Sequence, residues 1–296
     1  MQQRFLDPSV LAAISSLDLV AKTVVDGFVA GLHRSPDFGF SQEFAEYRAY
    51  NPGDDLRHVD WNVYARTERM YLRRYRGETN SWLTVLLDAS NSMQFGSHSV
   101  NKMDYARYLV ASLFYLAIHC QRDAAGLITF DDEIRNYIRP STRQGQLHRL
   151  LAGLEQAEAR ARTDFSKPMR YFQEFLRRRG MVLIVSDFWE SPESIIRTIE
   201  PLRYLGNEVV LFHVLDPKDV RPELNGPSIL VDMETEQHLE VTPDYTKKEY
   251  REKIDAHLAD LRDRARAAGL GYCLLLTDRP LDDALREYLS LRGGRD

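Results

Sequence analysis

A chain of 296 residues with 44% hydrophobic and 28% charged residues has the composition of an ordinary globular protein, neither disordered nor fibrous. Its formal net charge of -5 argues against a chain-wide electrostatic attraction to nucleic acid or to an anionic membrane, and favours protein or small-ligand partners. The length exceeds the commonest single-domain size, so one large domain with an appended segment is expected.

In chain order, residues 4–34 place Leu11, Ile14, Leu17, Val20, Ala21, Val24 and Phe28 at three- and four-residue intervals, which predicts one amphipathic helix ended by Gly31 and Pro36. Met1 to Val10 holds Arg4 and Asp7 but no apolar stretch leading to a small-residue cleavage site, so a secretory signal is not expected. From Asp37 to about Asn80 the chain is dense in Gly, Pro, Arg, Asp and aromatics, with Pro52-Gly53-Asp54-Asp55 as a turn signal. Trp82 to Leu87 is a run of apolar and branched residues without alternation, the mark of a strand buried on both faces, and it ends at Asp88.

A helix is predicted from Lys102 to about Cys120, with Ala106, Leu109, Val110, Leu113, Phe114 and Ala117 on one stripe. Gly126–Phe130 reads as a strand, Ile134–Ile138 as a short alternating one, Gln144–Leu154 as a helix, and residues 165–179 as another with Pro168 in its first turn. Arg177, Arg178 and Arg179 fall at its carboxyl end, where cations suit the helix dipole. Met181 to Ser186 is a second buried strand, ended by Asp187. Ser194–Leu205 is a helix and Val209–Leu215 a third buried strand.

Ile229–Met233 against His238–Thr242 reads as a hairpin turning near Glu234 and Thr235. Tyr250, Ile254, Leu258, Leu261, Ala265 and Ala268 mark a long helix, Gly271–Thr277 a last strand and Leu281–Leu291 a closing helix. Such alternation predicts an α/β fold, a doubly wound and mostly parallel sheet with helices on both faces. The longest nearly uncharged apolar run, Leu109–Cys120, has 12 residues, short of the roughly 20 that span a bilayer. Cys120 and Cys273 lie in apolar stretches, where a thiol behaves as a small hydrophobe. A cytoplasmic protein without membrane insertion is therefore expected.

In open α/β sheets ligands gather outside the carboxyl ends of the strands, so Asp88 and Asp187 are the first candidates for a site. The spacing Asp88-Ala89-Ser90-Asn91-Ser92 lets one loop turn a carboxylate and two hydroxyls toward a common point. All three offer hard oxygen ligands, which suit Mg²⁺, with Mn²⁺ tolerated. A phosphatase built on an aspartate nucleophile would need a second aspartate where Ser90 stands. Neither a Gly-x-Ser-x-Gly elbow nor a glycine-rich phosphate loop follows the first strand. His58, His119 and His148 lack ligand spacing and read as structural.

The D-x-S-x-S pattern resembles the metal-ion-dependent adhesion site of von Willebrand factor A-type (vWA) domains. There a distant threonine and a distant aspartate complete the ligand set. The resemblance gives those roles to Thr163, in Arg162-Thr163-Asp164-Phe165 before a helix, and to Asp187; Thr142 is the alternative threonine. The stretches from Glu43 to Arg48 and from Tyr50 to Trp61 look like the signature of the DUF58 family. Lys102, the run Val214-Leu215-Asp216-Pro217 and Asp232-Met233-Glu234-Thr235 resemble that family too.

The resemblance implies residues 1–80 as an amino-terminal helix plus signature segment packed on the core, and 81–296 as a vWA-like domain with a hairpin insertion near 228–242. It implies a non-enzymatic adaptor that works beside a MoxR-type AAA+ ATPase in assembly, maturation or folding of an unknown client protein, which supplies a carboxylate to the metal. The alternative is a Mg-dependent phosphohydrolase or nuclease. Arg48, Asp54, Arg57, Asp60 and Trp61 are expected to form a local salt-bridge brace, and Arg69 to Arg76 a solvated strand face or a docking surface for an acidic partner.

Overall fold

The computed structural model describes residues 7–14, 16–32, 44–49, 59, 61–67, 69–75, 81–158, 166–175, 178–222, 226, 228–231, 238–241 and 249–293. They divide into two compact units, one formed by Met1–Phe28 with Ser81–Asp296 and the other by Val29–Asn80. In the second unit β1 (Phe44–Ala49) pairs antiparallel with β2 (Tyr71–Tyr75), and α1 (Trp61–Thr67) lies between them in sequence. Trp61 and Tyr64 of α1 are exposed and meet edge to face. Asp54, Arg57 and Asp60 of the expected brace, and the side chain of Arg48, lie outside the described residues.

The large unit begins with a break where one helix was expected. Asp7 caps a short helix, α2 (Pro8–Leu11), by accepting from the Ser9 amide at 2.9 Å, and a separate α3 (Leu17–Leu32) follows. Serine competes with the helical backbone for hydrogen bonds, and Ser16 precedes the restart. The apolar face survives the break: Leu11, Leu17, Val20, Ala21, Val24 and Phe28 are all buried.

The sheet is built from β3 (Trp82–Asp88), β4 (Ala124–Phe130), β5 (Ile134–Ser141), β6 (Met181–Ser186), β7 (Glu208–Leu215) and β10 (Gly271–Leu276). Its order is β10-β7-β6-β3-β4-β5. All neighbours are parallel except β5, which runs antiparallel to β4 at one edge. The two middle strands are buried throughout, from Leu83 to Leu87 and from Met181 to Val185, and every one of these residues is apolar apart from Thr84. Gly180 permits their pairing, because a Cβ there would stand 2.2 Å from the Trp82 carbonyl oxygen.

From β3 the chain builds outward through α4 (Lys102–Tyr115) to β4, and from β6 it builds the opposite way through α7 (Pro192–Tyr204) to β7. Right-handed crossovers in opposite directions put α4 and α7 on opposite faces. One face carries α6 (Ser166–Phe175), α7 and α9 (Arg251–Ala267), whose Phe172, Ile195, Ile199, Leu202, Leu261 and Ala265 pack on Leu86, Ile128, Val182, Ile184, Val209 and Leu211. On the other face α5 (Gln146–Glu155) packs beside α4. A helix α8 (Pro217–Val220) follows β7, a hairpin of β8 (Ser228–Val231) and β9 (His238–Val241) comes next, and α10 (Asp282–Gly293) closes the described chain. This is the doubly wound, mostly parallel sheet with helices on both faces that the sequence predicted.

Two local expectations change. α4 passes at Leu116 into a π-wound turn ending at Cys120, and that wider turn carries Cys120 into solvent instead of the core. α6 is described as far as Phe175, Arg177 lies outside the described residues, and Arg178 stands in a bend with its guanidinium 4.7 Å from the Trp82 ring centre. No helix among the described residues is long and apolar enough to cross a membrane.

Candidate metal centre at the sheet's switch point

The direction of winding reverses between β3 and β6, and crevices at such reversals are where doubly wound sheets bind ligands. Each parallel strand ends here in a buried polar residue: Asp88 on β3, Asp131 after β4, Asp187 after β6, Asp216 after β7 and Thr277 after β10. Their partners differ, and the partners decide what each can do.

Asp131 receives the Arg135 Nε–H on both oxygens, at 2.8 and 2.6 Å. Burial pushes its pKa up, but the hydrogen bonds from Arg135 and the Glu133 amide outweigh that and hold it below the usual carboxylate value. Asp216 caps α8 in a capping box with Asp219. It also accepts from the Ser97 amide at 2.8 Å and lies 3.5 Å from the Thr277 hydroxyl, which in turn meets His98 Nε2 at 2.9 Å. That network ties the loop after β3 to the ends of β7 and β10.

Asp88 is fully buried and accepts from the Ser90 amide on one oxygen at 2.9 Å and from the Ser186 hydroxyl on the other at 2.5 Å. Ser90 and Ser92 hold their hydroxyl oxygens 3.0 Å apart. Burial, and after it the charge of Asp187, push the Asp88 pKa up to about 7 in spite of those hydrogen bonds. A carboxylate in this position gains from a cation. Asp187 lies across the switch point and accepts from the Lys102 ammonium at 2.7 Å; the same ammonium reaches Asp219 at 3.1 Å. Burial alone would lower the Lys102 pKa, but the two carboxylates outweigh it and raise it, so the lysine stays charged.

The backbone beyond β6 is bent to fit. Phe188 has φ +46°, a left-handed conformation that a bulky residue adopts only when its surroundings impose it. His213 Nε2 donates to the Asp187 carbonyl at 2.8 Å and His257 Nε2 to the Phe188 carbonyl at 3.0 Å, so two imidazoles fix consecutive peptides. A carbonyl can only accept, which places the proton of each ring on Nε2. The bend brings Trp189 to the rim, 43% exposed, stacked on His257 and facing Lys102 at 5.8 Å from ring centre to Nζ.

Asp88, Ser90, Ser92 and Asp187 thus stand at one crevice, while Thr163 lies outside the described residues, as does Asp164. Among the described residues no three side chains of His, Cys, Asp or Glu converge as a ready metal cage. Any cation must therefore take a mixed set of carboxylates and hydroxyls. Such a set fits Mg²⁺: neighbouring ligands about 2.1 Å from an octahedral ion lie about 3.0 Å apart, the spacing of the two serine oxygens.

Sequence reasoning missed Ser186, Asp219, His213 and His257. A histidine inside the apolar run of β7 is a visible anomaly, and Asp219 closes a recognisable Asp-Pro-x-Asp cap, but neither pattern tells which carboxyl edge or partner it serves.

Residues 46–264 match the family described as "Protein of unknown function DUF58". Uncharacterized proteins of Mycobacterium tuberculosis (strain ATCC 25618 / H37Rv) and Mycobacterium bovis are 33% identical over 296 residues, covering 97% of this chain and 92% of theirs. Among solved structures, an aerotolerance-related membrane protein from Bacteroides fragilis is similar with a TM-score of 0.51 at 12% identity, over 71% of this chain and 97% of that one. The VWA domain of SpRpn10 aligns with a TM-score of 0.45 at 14% identity, over 71% and 95%. At such identities the likeness concerns the fold.

Proposed function

Because the chain belongs to the DUF58 family, we propose that it is a non-enzymatic, metal-dependent adaptor of the cytoplasm, which binds a MoxR-type AAA+ ATPase and a client protein. The observation that carries this reading is the meeting of Asp88 and Asp187 at the switch point, beside two hydroxyl oxygens 3.0 Å apart. Asp88, Ser90, Ser92, Thr163 and Asp187 would hold Mg²⁺, or Mn²⁺ in its place, which when bound supplies an electrophilic position for a partner's carboxylate. The chain's own residues prepare that position. Ser186 and the Ser90 amide orient Asp88, while Lys102 and His213 fix the side chain and the backbone of Asp187. Trp189 adds an exposed aromatic face at the rim for a partner to cover.

The buried hydroxyls of this edge support binding over catalysis. Ser186 is engaged by Asp88, and Thr277 by His98 and Asp216, which suits bracing more than attack on a substrate. The ATPase partner is what the family resemblance implies, and it is tested directly. Affinity capture from the native cell should retain an AAA+ ATPase in MgCl₂ and lose it in EDTA or with Asp88→Ala. Capture unchanged by EDTA would overturn the reading. Turnover of a phosphoester by the purified protein with Mg²⁺, abolished by Asp88→Ala, would favour a hydrolase instead.

A further inference from the structure

Lysine is rarely buried completely, yet Lys102 is 1% exposed. It is also the first residue of α4, capped by Asn101, where the positive end of the helix dipole disfavours a cation. Local helix electrostatics therefore do not account for it. Its surroundings do: Nζ lies 2.7 Å from Asp187 and 3.1 Å from Asp219, with the Phe95 and Trp189 ring centres 5.7 and 5.8 Å away. Two carboxylates, Asp187 and Asp219, face this one ammonium, and the charge of Asp187 is felt by a third, Asp88. With all three ionised the balance is two negative charges, what one divalent ion neutralises.

We propose that Lys102 is a tethered counter-cation of the site, which holds Asp187 when no metal is present and opposes the divalent ion when it arrives. The inference rests on the metal-binding reading above and adds its regulation. An incoming cation at Asp88 and Asp187 meets like charge from the ammonium, which Asp219 can take over because it already shares it. Asp219 also accepts from the Asp216 amide on the same oxygen at 3.0 Å, and its carbonyl accepts from the Tyr250 hydroxyl at 2.8 Å. The carboxylate that receives the lysine is thus fixed to the end of β7 and to the residue just before α9. Sharing between Asp187 and Asp219 sets how much cation the site requires.

The test is titration of MgCl₂ into the EDTA-treated full chain by calorimetry, with melting temperature recorded with and without metal. Lys102→Met is expected to bind Mg²⁺ roughly ten- to a hundredfold tighter than the parent, since a like charge a few ångströms away is removed. It is also expected to melt lower without metal and to recover more on adding it. Lys102→Arg keeps the charge and should stay near the parent affinity. Asp219→Asn should move the other way, weakening Mg²⁺ severalfold because the ammonium then remains with Asp187.

Parent binding that Asp88→Ala abolishes, together with unchanged or weaker binding by Lys102→Met, would overturn the counter-cation role and leave the metal site standing. Binding by Lys102→Met alone would support the role. Binding by neither would remove both readings. If Lys102→Met does not fold, Asp219→Asn decides: affinity equal to or above the parent's overturns the inference.

Discussion

The imidazole of His213 donates from Nε2 to the main-chain carbonyl of Asp187 at 2.8 Å, while its Nδ1 accepts from the Tyr272 hydroxyl at 2.9 Å. One buried ring on β7 therefore fixes the backbone of a metal-ligand candidate at the end of the neighbouring strand, and it can accept from Tyr272 at the same time only when neutral. His213→Phe keeps a planar ring but leaves the buried Asp187 carbonyl and the partly buried Tyr272 hydroxyl without the imidazole. A loss of about 2–3 kcal/mol is expected in urea unfolding.

The same ring sets a pH dependence. Burial, and then His257, depress its pKa from 6.5 to about 3, so its contribution to stability is complete above 6.5 and drains away as pH falls toward 3. Asp88 acts with the opposite sign: raised from 3.8 to about 7, it favours the fold at low pH and loses that contribution as pH rises through 7. Between pH 3.8 and 6.5 the two oppose each other at up to about 1.4 kcal/mol per pH unit each. Metal-free His213→Phe should thus lose stability as pH rises across this window, relative to the parent, and Asp88→Asn should gain. Urea denaturation at both ends of the window checks this, and parallel slopes in all three proteins would contradict it.

Asp88→Asn should also separate stability from binding. In metal-free buffer at about pH 8 it removes a buried charge and is expected to stabilise by about 1–3 kcal/mol. It should at the same time abolish the rise in melting temperature that Mg²⁺ is expected to give the parent. In the parent, protons would compete with Mg²⁺ for Asp88, so apparent affinity is expected to fall by about tenfold per pH unit below 7. Affinity constant from pH 5.5 to 8 would count against Asp88 as a ligand.

Gly180→Ala tests the seam between the two halves of the sheet. Its Cβ would lie 2.2 Å from the Trp82 carbonyl oxygen and 2.8 Å from the Trp82 Cβ, atoms of a strand that cannot move aside without disturbing β4 as well. A destabilisation of at least about 2 kcal/mol is expected in chemical denaturation.

Trp189→Ala addresses the partner. Exposed aromatics beside a charged pocket are favoured anchors of protein interfaces, and truncating one costs about 2 kcal/mol or more where it is covered. Capture of the partner in Mg²⁺ should weaken about thirtyfold while calorimetric Mg²⁺ affinity changes less than threefold. Equal losses in both would mean that the tryptophan supports the metal and not the interface.

The sheet and the two halves of its winding were legible because buried parallel strands leave unbroken apolar runs, as in Trp82–Leu87 and Met181–Val185. The places of Asp88 and Asp187 at the carboxyl edge were legible because each directly follows such a run, and those of Ser90 and Ser92 because they lie in the loop after the first. The partners that tune them were not. Lys102 and Asp187 lie 85 positions apart, Ser97 and Asp216 119 apart, and no local periodicity records such meetings. The apolar spacing overextends the amino-terminal helix because it continues past Ser16, a residue that competes for the backbone and precedes the restart of the helix at Leu17.

The winding reversal at β3 and β6 also dictates an order of assembly. Asp88 meets Ser186 across a separation of 98 positions, whereas β4 pairs with β3, and β5 with β4, as soon as they emerge. Contacts across such sequence separations form late, since the loop entropy must be overcome first. The candidate cation site is completed later still, when His213 of β7 and His257 of α9 reach the carbonyls of Asp187 and Phe188. Capture of a metal ion there would report that both halves of the sheet have come together, and a partner that needs the ion would meet only molecules that have passed that point.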